Sequence, residues 1–564
     1  MDYQKVIAQS IAKALHQKVS VKALLSKIEY PKTDRNGDLS LPCFVLARIL
    51  HQNPKQIAEN LADQVHPAGF QKIEAVGPYL NFFIDRKKFS EGVLNRILQT
   101  GASYGSNHDG HDRNVVIDMS SPNIAKPISM GHLRSTVIGN SIAEILVKNG
   151  YQTIKDNHLG DWGTQFGKLI TAYLKWGNKA AVEKDPINKL VKYYVHFHRV
   201  DKQHPELDDE ARNWFKKLES GNQEAMSLWK WFRHVSLISF GKTYRKLGVK
   251  FDTYHGESYY RHMLPGVVKL LKKKGLLKES RGAQIVDLSK YHLNPALILK
   301  SDGATLYITR DIACAIWRDR NYHPALNLYV TGGEQIYYFK QLKAVLTEIG
   351  LPSAKNLRHV PFGLITENGK KLSTRSGRII LLNKVLDDAV RLARKQIEEK
   401  NPQLPNKDQV AEEVGVGAII FGDLMNNRMD SIDFNLKQQL QFEGETGPYV
   451  MYCRVRAESI LRKAKQSINL KQADKDVKDP EAWNIIKSLS AFPKVVKQAA
   501  HEFEPSDIAK YALQLAKDFN QYYAHSRILK ADAQLGARLS LVKSVSIVLK
   551  ESMRLLGVKS PDRM

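Results

Sequence analysis

A Gly-His pair stands directly ahead of an apolar, helix-patterned run within residues 120–140, SSPNIAKPISMGHLRSTVIGN. The first turn of a helix carries unpaired backbone N–H groups and a partial positive charge, so a phosphate is stabilised there. Gly131 leaves room for a phosphate or a planar base, and His132 adds a hydrogen-bond donor. A lone histidine before a helix is more often structural, so the pair alone is a weak signal. It marks the loop as a candidate nucleotide site.

A second candidate is the glycine-bounded loop GKKLSTRSG at residues 369–377, which holds Lys371, Ser373, Thr374 and Arg375. Cations and hydroxyls on a loop suit the transient clamping of a polyphosphate during reaction. The alternative interpretation is a solvated surface hairpin. The spacing excludes a P-loop, because Lys370 is followed by Lys371 and the preceding glycine is at the wrong distance.

A third candidate combines ATLYITRDIACAIW, residues 304–317, with TGGEQIYY, residues 331–338. Tyr307 and Asp311 are four residues apart and share a face if a helix has begun there, while Gln335 follows a Gly-Gly turn. A carboxylate accepts paired, charged hydrogen bonds from a guanidinium, and phenol and amide groups can fix the orientation of that guanidinium. The trio therefore predicts either a site for a cationic substrate or an ordinary buried polar network.

Metal sites are not indicated. His196, His198 and His204 lie close in sequence, but residues two apart point in different directions on a helix. The three cysteines, Cys43, Cys314 and Cys453, are far apart and form no CxxC pair. We therefore expect neither a protein-held metal nor a disulfide framework, as in a reducing cytosol.

The elements that must position these groups read as an α/β sheet. NVVIDMSS ends in turn residues just before the Gly-His loop, and a helix with Leu133, Val137 and Ile142 on one face follows. Further strands are predicted at YQTIKDN, ALNLYVTGG and LRHVPFGLIT, separated by helical stretches, so the sheet should be parallel. The pattern predicts a multidomain α/β chain.

Four regions are expected from composition and periodicity. Residues 1–105 predict a small α+β domain that ends in the turn-rich GASYGSNHDGHD. Residues 106–380 predict the sheet domain, with a charged helical insertion at about 177–250. Residues 381–440 predict a helical connector, and residues 441–564 predict an all-helical domain.

The charge balance favours a polyanionic partner. Among 564 residues, 85 Lys and Arg face 58 Asp and Glu, a formal charge of +27, which suits nucleic acid or an anionic membrane surface. No apolar run reaches the roughly 18 residues of a membrane span, and the first residues lack a signal-peptide pattern. We expect a soluble, cytoplasmic protein that does not enter membranes.

Taken together, five motifs resemble the arginine-specific family of class I aminoacyl-tRNA synthetases. They are SPNIAKPISMGHLRST, LGDWGTQFG, LYITRD, GGEQ and KKLSTRSG, in matching order and spacing. The N-terminal GDLSLPCFVLARIL with VGPYLNFFID is similar to that family's extra N-terminal domain, which contacts tRNA. GETGPYVMYCRVRAESIL and the terminal PDRM resemble its helical anticodon-binding domain.

The resemblance implies a class I Rossmann-like catalytic domain and two steps at one site. Arginine attacks the α-phosphate of ATP, and the arginyl group then passes from the adenylate to tRNA(Arg). Gly131 and His132 would face ATP as the second half of the HIGH element, and Lys371, Ser373 and Arg375 would belong to the KMSKS loop over the pyrophosphate. The residues expected to surround arginine are Asn123, Glu257, Tyr307, Asp311 and Gln335.

Mg-ATP is implied as a substrate, with the ion held by phosphates and water, and no permanently bound cofactor is expected. A monomer is also implied.

Two departures from the family pattern remove cationic donors. Ser129 stands where the first His of HIGH is expected, and Thr374 stands where the second Lys of KMSKS is expected. Each donor stabilises developing charge on the leaving group. We expect Lys126, in the same loop as His132, to offset them as a catalytic residue, with Arg375 as a second candidate.

Two other function classes stay open at this point. A small-molecule nucleotidyltransferase can share the Gly-His element and the sheet, although it has no use for a basic helical C-terminal region. A non-catalytic RNA-binding relative is the other alternative, against which the presence of His132, Asp311, Gln335 and Lys371 argues.

Overall fold

The computed structural model describes residues 3–31, 33–367, 369–371, 380–464 and 475–564. Its α-helices are α1 Tyr3–Ala14, α2 Val21–Leu25, α3 Phe44–Leu50, α4 Pro54–Gln64, α5 Arg86–Thr100, α6 Met130–Lys148, α7 Gln165–Trp176, α8 Lys179–Lys184, α9 Pro186–Val200, α10 Glu206–Glu219, α11 Gln223–Leu247, α12 Leu264–Lys273, α13 Tyr307–Tyr322, α14 Ile336–Ile349, α15 Leu382–Lys400, α16 Lys407–Leu424, α17 Leu436–Gln439, α18 Gly447–Lys463, α19 Ala482–Glu502, α20 Ser506–His525 and α21 Leu535–Leu555. Its strands are β1 Leu39–Pro42, β2 Phe70–Val76, β3 Tyr79–Ile84, β4 Asn114–Asp118, β5 Gln152–Asp156, β6 Leu277–Ser280, β7 Ala283–Val286, β8 Ala296–Leu299, β9 Leu326–Gly332, β10 Leu357–Phe362, β11 Ile365–Glu367, β12 Lys370–Lys371 and β13 Ile432–Asp433.

The chain divides into two compact units. The first unit contains residues 1–101, 460–490 and 518–545, and the second contains residues 102–459, 491–517 and 546–564.

An antiparallel sheet organises the N-terminal part of the first unit. Its strand order is β1-β3-β2, and α1 and α4 contribute to one core with it through Ile7, Ile11 and Leu61. Val, Tyr, Phe and Ile are frequent in β2 and β3, and such residues pack well on a pleated surface. The α+β character predicted for this region is confirmed.

A four-stranded parallel sheet lies at the centre of the second unit, in the order β10-β9-β4-β5. The β4 sequence NVVID is buried along nearly its whole length, as expected for a strand covered on both faces. Helix α6 connects β4 to β5, whereas β9 pairs with the other edge of β4. The strand order therefore reverses beside β4, and ligands bind outside the carboxyl ends of such strands. The predicted parallel sheet is confirmed.

Helices α8 to α11 form the charged insertion predicted after Trp176. Phe197 of α9 and Leu207 and Ala211 of α10 pack with Ala172 of α7 in a small core of their own. Asn178 and Asn222 cap the starts of α8 and α11, because their side-chain oxygens accept backbone N–H bonds that a helix start leaves unpaired.

Among the described residues after 380, one short strand interrupts a series of helices. Strand β13 pairs in parallel with β11, which in turn pairs with β12 in a hairpin. A two-residue strand has no periodicity of its own, so the sequence pattern predicted only helix here. Its hydrogen bonds to a distant strand define it. Among the described residues, no helix has both the length and the apolarity needed to cross a membrane.

Candidate active site

Two aspartates end neighbouring strands at the carboxyl edge of the parallel sheet. Asp118 is the last residue of β4 and pairs in register with Asp156, the last residue of β5, and on its other side with Tyr329 of β9. The Arg318 guanidinium of α13 donates to Asp118 Oδ2 at 2.8 Å and to Asp156 Oδ2 at 2.7 Å. Burial works to raise the pKa of Asp156, but Arg318 and His158 outweigh it and hold that pKa below its usual value. The network joins both strand ends to α13.

Asp118, Asp156 and His158 place three possible metal-ligand atoms within 4.8 Å of one another. Arg318 is fully buried and already bonds both carboxylates. Arg318 and the neighbouring His158 supply the two positive charges that balance this buried carboxylate pair, so the pair has no need of a metal cation. We interpret this cluster as structural support for the site.

The loop between β4 and α6 carries the first predicted residues. Ser120 and Ser121 have positive φ values of 71° and 47°, which non-glycine residues rarely adopt. The Ser120 N–H donates to Ser135 Oγ at 2.8 Å and the Ala125 N–H donates to Ser236 Oγ at 3.0 Å, so α6 and α11 hold the loop. These contacts fix the path of residues 119–129.

His132 is oriented by Ser129, which stands where the resemblance leads one to expect the first histidine of the HIGH element. The Ser129 N–H donates to His132 Nδ1 at 3.1 Å, so Nδ1 carries no proton. Burial lowers the pKa of His132, and a hydrogen bond donated to its Nδ1 is compatible only with the neutral ring. The imidazole is therefore neutral with its proton on Nε2, and it can donate one hydrogen bond. Ser129 thus fixes the tautomer while capping α6.

Asn123 and Lys126 are both exposed on this loop. Asn123 forms a parallel bridge with Gly160 of the LGDWG motif, and a side chain at Gly160 would collide with Asn123 Oδ1. Lys126 Nζ lies 6.0 Å from the ring centre of Tyr194 in α9. The structure thus places Asn123 against the strand ends and Lys126 towards the helical insertion.

The predicted arginine pocket gathers at the start of α13. The helix begins at Tyr307, so Tyr307 and Asp311 do lie one turn apart. The Tyr338 hydroxyl donates a short hydrogen bond to Asp311 Oδ2, and His158 Nε2 lies 3.9 Å from Asp311 Oδ1. Burial raises the pKa of Asp311, while His158 and Tyr338 oppose that rise. The Tyr338 hydroxyl therefore holds one side-chain oxygen of Asp311, and the other oxygen faces the titratable ring of His158.

His158 is a pocket residue that sequence reasoning missed. Its Nδ1 bonds the His255 carbonyl at 2.9 Å, and because a carbonyl only accepts, that nitrogen carries a proton. Burial lowers the pKa of His158, but Cys314, Asp118 and Asp311 outweigh burial and raise it well above its usual value. Its position directly after the predicted strand YQTIKDN was the available signal.

Glu257 lies in the same pocket, in a short 3-10 segment, Glu257–Met263. Its Oε2 atom accepts a hydrogen bond from Arg310 Nη1 at 3.0 Å. The sequence pattern did not single out Arg310, although it immediately precedes Asp311. Gln335 is exposed in the 3-10 turn Gly333–Gln335 at the end of β9, three residues before Tyr338.

The second phosphate-binding candidate is described only in part. β11 and β12 form the hairpin that leads into it, and Asp433 Oδ1 accepts from the Gly369 N–H at 3.1 Å and from Thr366 Oγ1 at 2.9 Å. Lys371 ends β12. The predicted Ser373 and Arg375, and also Thr374, lie outside the described residues.

The three histidines considered for a metal site have separate partners. His196 Nδ1 lies 2.8 Å from Arg199, His198 contacts Asp201 at 3.3 Å, and His204 contacts Glu206 at 3.0 Å. No two of these histidines share a carboxylate, which favours the structural interpretation.

Comparison with known proteins covers the whole chain. The family described as tRNA synthetases class I (R), catalytic domain, matches residues 93–436, the DALR anticodon binding domain matches residues 450–564, and the arginyl tRNA synthetase N terminal domain matches residues 2–84. An arginine–tRNA ligase of Levilactobacillus brevis is 64% identical over 564 residues, all of this chain and all of that protein. One from Pediococcus pentosaceus is 59% identical over the same full length. The structure of Thermus thermophilus arginyl-tRNA synthetase superposes with a TM-score of 0.79 at 26% identity, covering 100% of this chain and 99% of that one.

Proposed function

The chain belongs to the arginyl-tRNA synthetases, which attach arginine to tRNA, and we propose that the carboxyl edge of its parallel sheet is where it does so. The observation that carries the proposal is the convergence on that edge of a helix N-terminus bearing His132 and an acidic pocket built on Asp311 and Glu257. The first group suits the phosphates of ATP, and the second suits a guanidinium.

On the nucleotide side, Gly131 and His132 contact ATP. A neutral imidazole with its proton on Nε2 donates a hydrogen bond to a phosphate oxygen without a permanent charge. Lys371 and Ser373, with Arg375, contact the β- and γ-phosphates and stabilise the charge that collects on departing pyrophosphate. Magnesium accompanies ATP and is held by phosphates and water.

On the amino-acid side, Asp311 and Glu257 bind the guanidinium, and Tyr307 covers it. Asn123 and Gln335 hold the α-amino and carboxylate groups at the edge of the sheet. A carboxylate oxygen of arginine then attacks the α-phosphorus of ATP, the bond to pyrophosphate breaks, and arginyl-adenylate forms. The terminal ribose hydroxyl of tRNA next attacks the arginyl carbonyl, and AMP leaves.

Lys126 supplies the positive charge that Ser129 and Thr374 do not. It is exposed on the loop that ends in His132, and a four-carbon stem lets its ammonium group reach a phosphate. Its proximity to Tyr194 places it at the boundary between the loop and the insertion.

The regions divide the work as the sequence predicts. Residues 106–380 carry catalysis, residues 381–440 connect, and residues 1–105 and 441–564 contact tRNA. The matches to an N-terminal synthetase domain and to an anticodon-binding domain support this division. They also argue against a small-molecule nucleotidyltransferase. We further propose that the protein is cytoplasmic and monomeric. Sedimentation of the purified protein would test the monomeric state.

Aminoacylation of total tRNA with each amino acid in turn tests the function. We expect charging with arginine alone, and pyrophosphate exchange with arginine and ATP only when tRNA is present. Exchange without any tRNA charging would support the nucleotidyltransferase alternative, and neither activity would support the non-catalytic one. An Asp311→Ala variant that kept its affinity for arginine would contradict the assignment of the pocket.

A further inference from the structure

The acidic pocket assigned to the guanidinium of arginine already holds a guanidinium of the chain itself. Arg310 Nη1 lies 3.0 Å from Glu257 Oε2, and the two side chains are only 12% and 14% exposed. A cation beside a site for a cation should weaken binding by repulsion, unless it has another effect on the pocket.

The surroundings of Arg310 show that it is held in place. Its guanidinium lies 5.2 Å from the ring centre of Tyr307, one turn earlier on α13. Partial burial raises the pKa of Glu219 at the end of α10, and Arg310 opposes that rise. Arg310 thus stands between the start of α13, the 3-10 segment that bears Glu257 and the end of α10.

Charge balance explains what this cation does. Glu257 and Asp311 are two carboxylates in one pocket, and without a neighbouring cation two such groups do not both stay ionised. Arg318 and His158 together balance the two carboxylates at the strand ends, Asp118 and Asp156. With Arg310 paired to Glu257, Asp311 then leaves the pocket one net negative charge. One incoming guanidinium then neutralises it.

We propose that Arg310 is a positioning residue that keeps Glu257 ionised and occupies its Oε2 atom, leaving Oε1 and Asp311 to bind the guanidinium of the substrate. The inference rests on the proposed function, because it concerns the pocket assigned there to arginine. It adds to that function the residue that sets the charge of the pocket.

The pH dependence follows from the groups that face Glu257. Burial raises the pKa of Glu257 to about 7; Arg310 and His158 oppose the rise, and Asp311 and Asp161 add to it. Glu257 is therefore ionised above about pH 7 and loses its charge as the pH falls. An opposite charge within hydrogen-bond distance lowers a carboxyl pKa by about 1 to 3 units, so removing Arg310 should move this transition upwards by that amount.

The test is the KM for arginine in tRNA charging from pH 6.5 to 9, for the full-length enzyme and its Arg310→Gln variant. We expect the variant's KM to be at least about fivefold higher at pH 7. The ratio to wild type should fall at least about threefold by pH 9, where the shifted carboxyl ionises again, while kcat stays within about twofold. Arg310→Lys keeps the charge and should hold KM within about threefold at pH 7. Arg320→Gln, exposed on the same helix, is the matched control.

Three results would overturn the inference. A KM that falls on removing Arg310 would show that it competes with the substrate, and a pH-independent rise would show that it acts only through packing. Arg310→Lys behaving like Arg310→Gln at every pH would exclude the charge as the cause. If Arg310→Gln does not fold, the pH profile of Arg310→Lys decides, since a weaker ion pair must still move the transition upwards. Failure of the wild-type chain to charge tRNA with arginine would refute the proposed function instead.

Discussion

At the scale of single residues, substitutions at two glycines of α6 distinguish the proposed contact with ATP from packing within the protein. Among the residues that the structure describes, a Cβ at Gly131 would meet only Ser129 Oγ, at 3.6 Å, whereas a Cβ at Gly139 would lie 2.6 Å from Met119 Cβ. Gly131→Ala should leave thermal stability unchanged or slightly higher and raise the KM for ATP at least about tenfold, or about 1.4 kcal/mol. Gly139→Ala should cost about 1–3 kcal/mol of stability through overpacking. An unchanged KM for ATP in Gly131→Ala would contradict the close approach of the nucleotide.

The proposed role of Lys126 is tested by comparing its substitution with that of a nearby exposed lysine. Lys126→Ala should lower the rate of adenylate formation with tRNA present at least about tenfold, or about 1.4 kcal/mol, because it removes a donor to the leaving group. Lys192→Ala, which removes an exposed lysine from α9 near Tyr194, should leave that rate within about twofold. A smaller loss in Lys126→Ala would leave Arg375 as the remaining candidate.

At the scale of elements, one buried guanidinium, that of Arg318, joins the ends of β4 and β5. Replacing Arg318 by Met would leave Asp118 and Asp156 without their shared partner, at a cost of about 3–5 kcal/mol in the free energy of unfolding. Burial would then raise the pKa of Asp156 above its unfolded value. Such a shift adds stability at low pH that is lost as the pH rises, so the deficit should be smaller at pH 5.5 than at pH 8.

Urea unfolding at both pH values, followed by tryptophan fluorescence, measures this deficit. Arg320→Met on the exposed side of α13 should change stability by less than about 0.5 kcal/mol. Equal deficits at the two pH values would mean that lost packing, rather than uncompensated charge, destabilises the Arg318→Met protein.

The sequence predicted the strands and helices better than the side-chain contacts between them. Runs such as NVVID and LNLYV are strand-like because β-branched residues and continuous burial leave few alternatives, and α13 begins at Tyr307 as the spacing required. Which side chains contact one another between those elements is harder to predict from the sequence. Arg310 meets Glu257 across 53 residues and Arg318 meets Asp118 across 200 residues, separations at which no periodicity links two positions. The resemblance indicated Glu257, whereas the cation beside it is apparent only from the folded structure.

At the scale of the whole molecule, the charge of +27 should appear in the salt dependence of tRNA binding. Each phosphate neutralised by Lys or Arg releases bound counterions, so affinity falls as salt rises. We expect the KM for tRNA to rise at least about tenfold between 50 and 200 mM KCl. The KM for arginine should change less than about twofold, because its pocket is partly buried and poorly screened. Equal salt dependence of both constants would contradict a binding surface made of many phosphate contacts.

The composition of the first unit has a consequence for synthesis of the chain. Residues 1–101 share this unit with residues 460–490 and 518–545, which leave the ribosome hundreds of residues later. At ordinary translation rates that delay is on the order of tens of seconds. Among the described residues, the core between Ile7 and Phe82 is built from the N-terminal stretch alone, so we expect it to fold early. Helix α5 must wait, because Phe89 and Arg86 pack against Trp483, with ring centres 5.3 Å apart and the guanidinium 4.8 Å from the indole. Tyr3 packs against one side of the Phe89 ring, at 5.2 Å, so during elongation the helix leaves only the side that faces Trp483 uncovered, the kind of surface that nascent-chain chaperones shield.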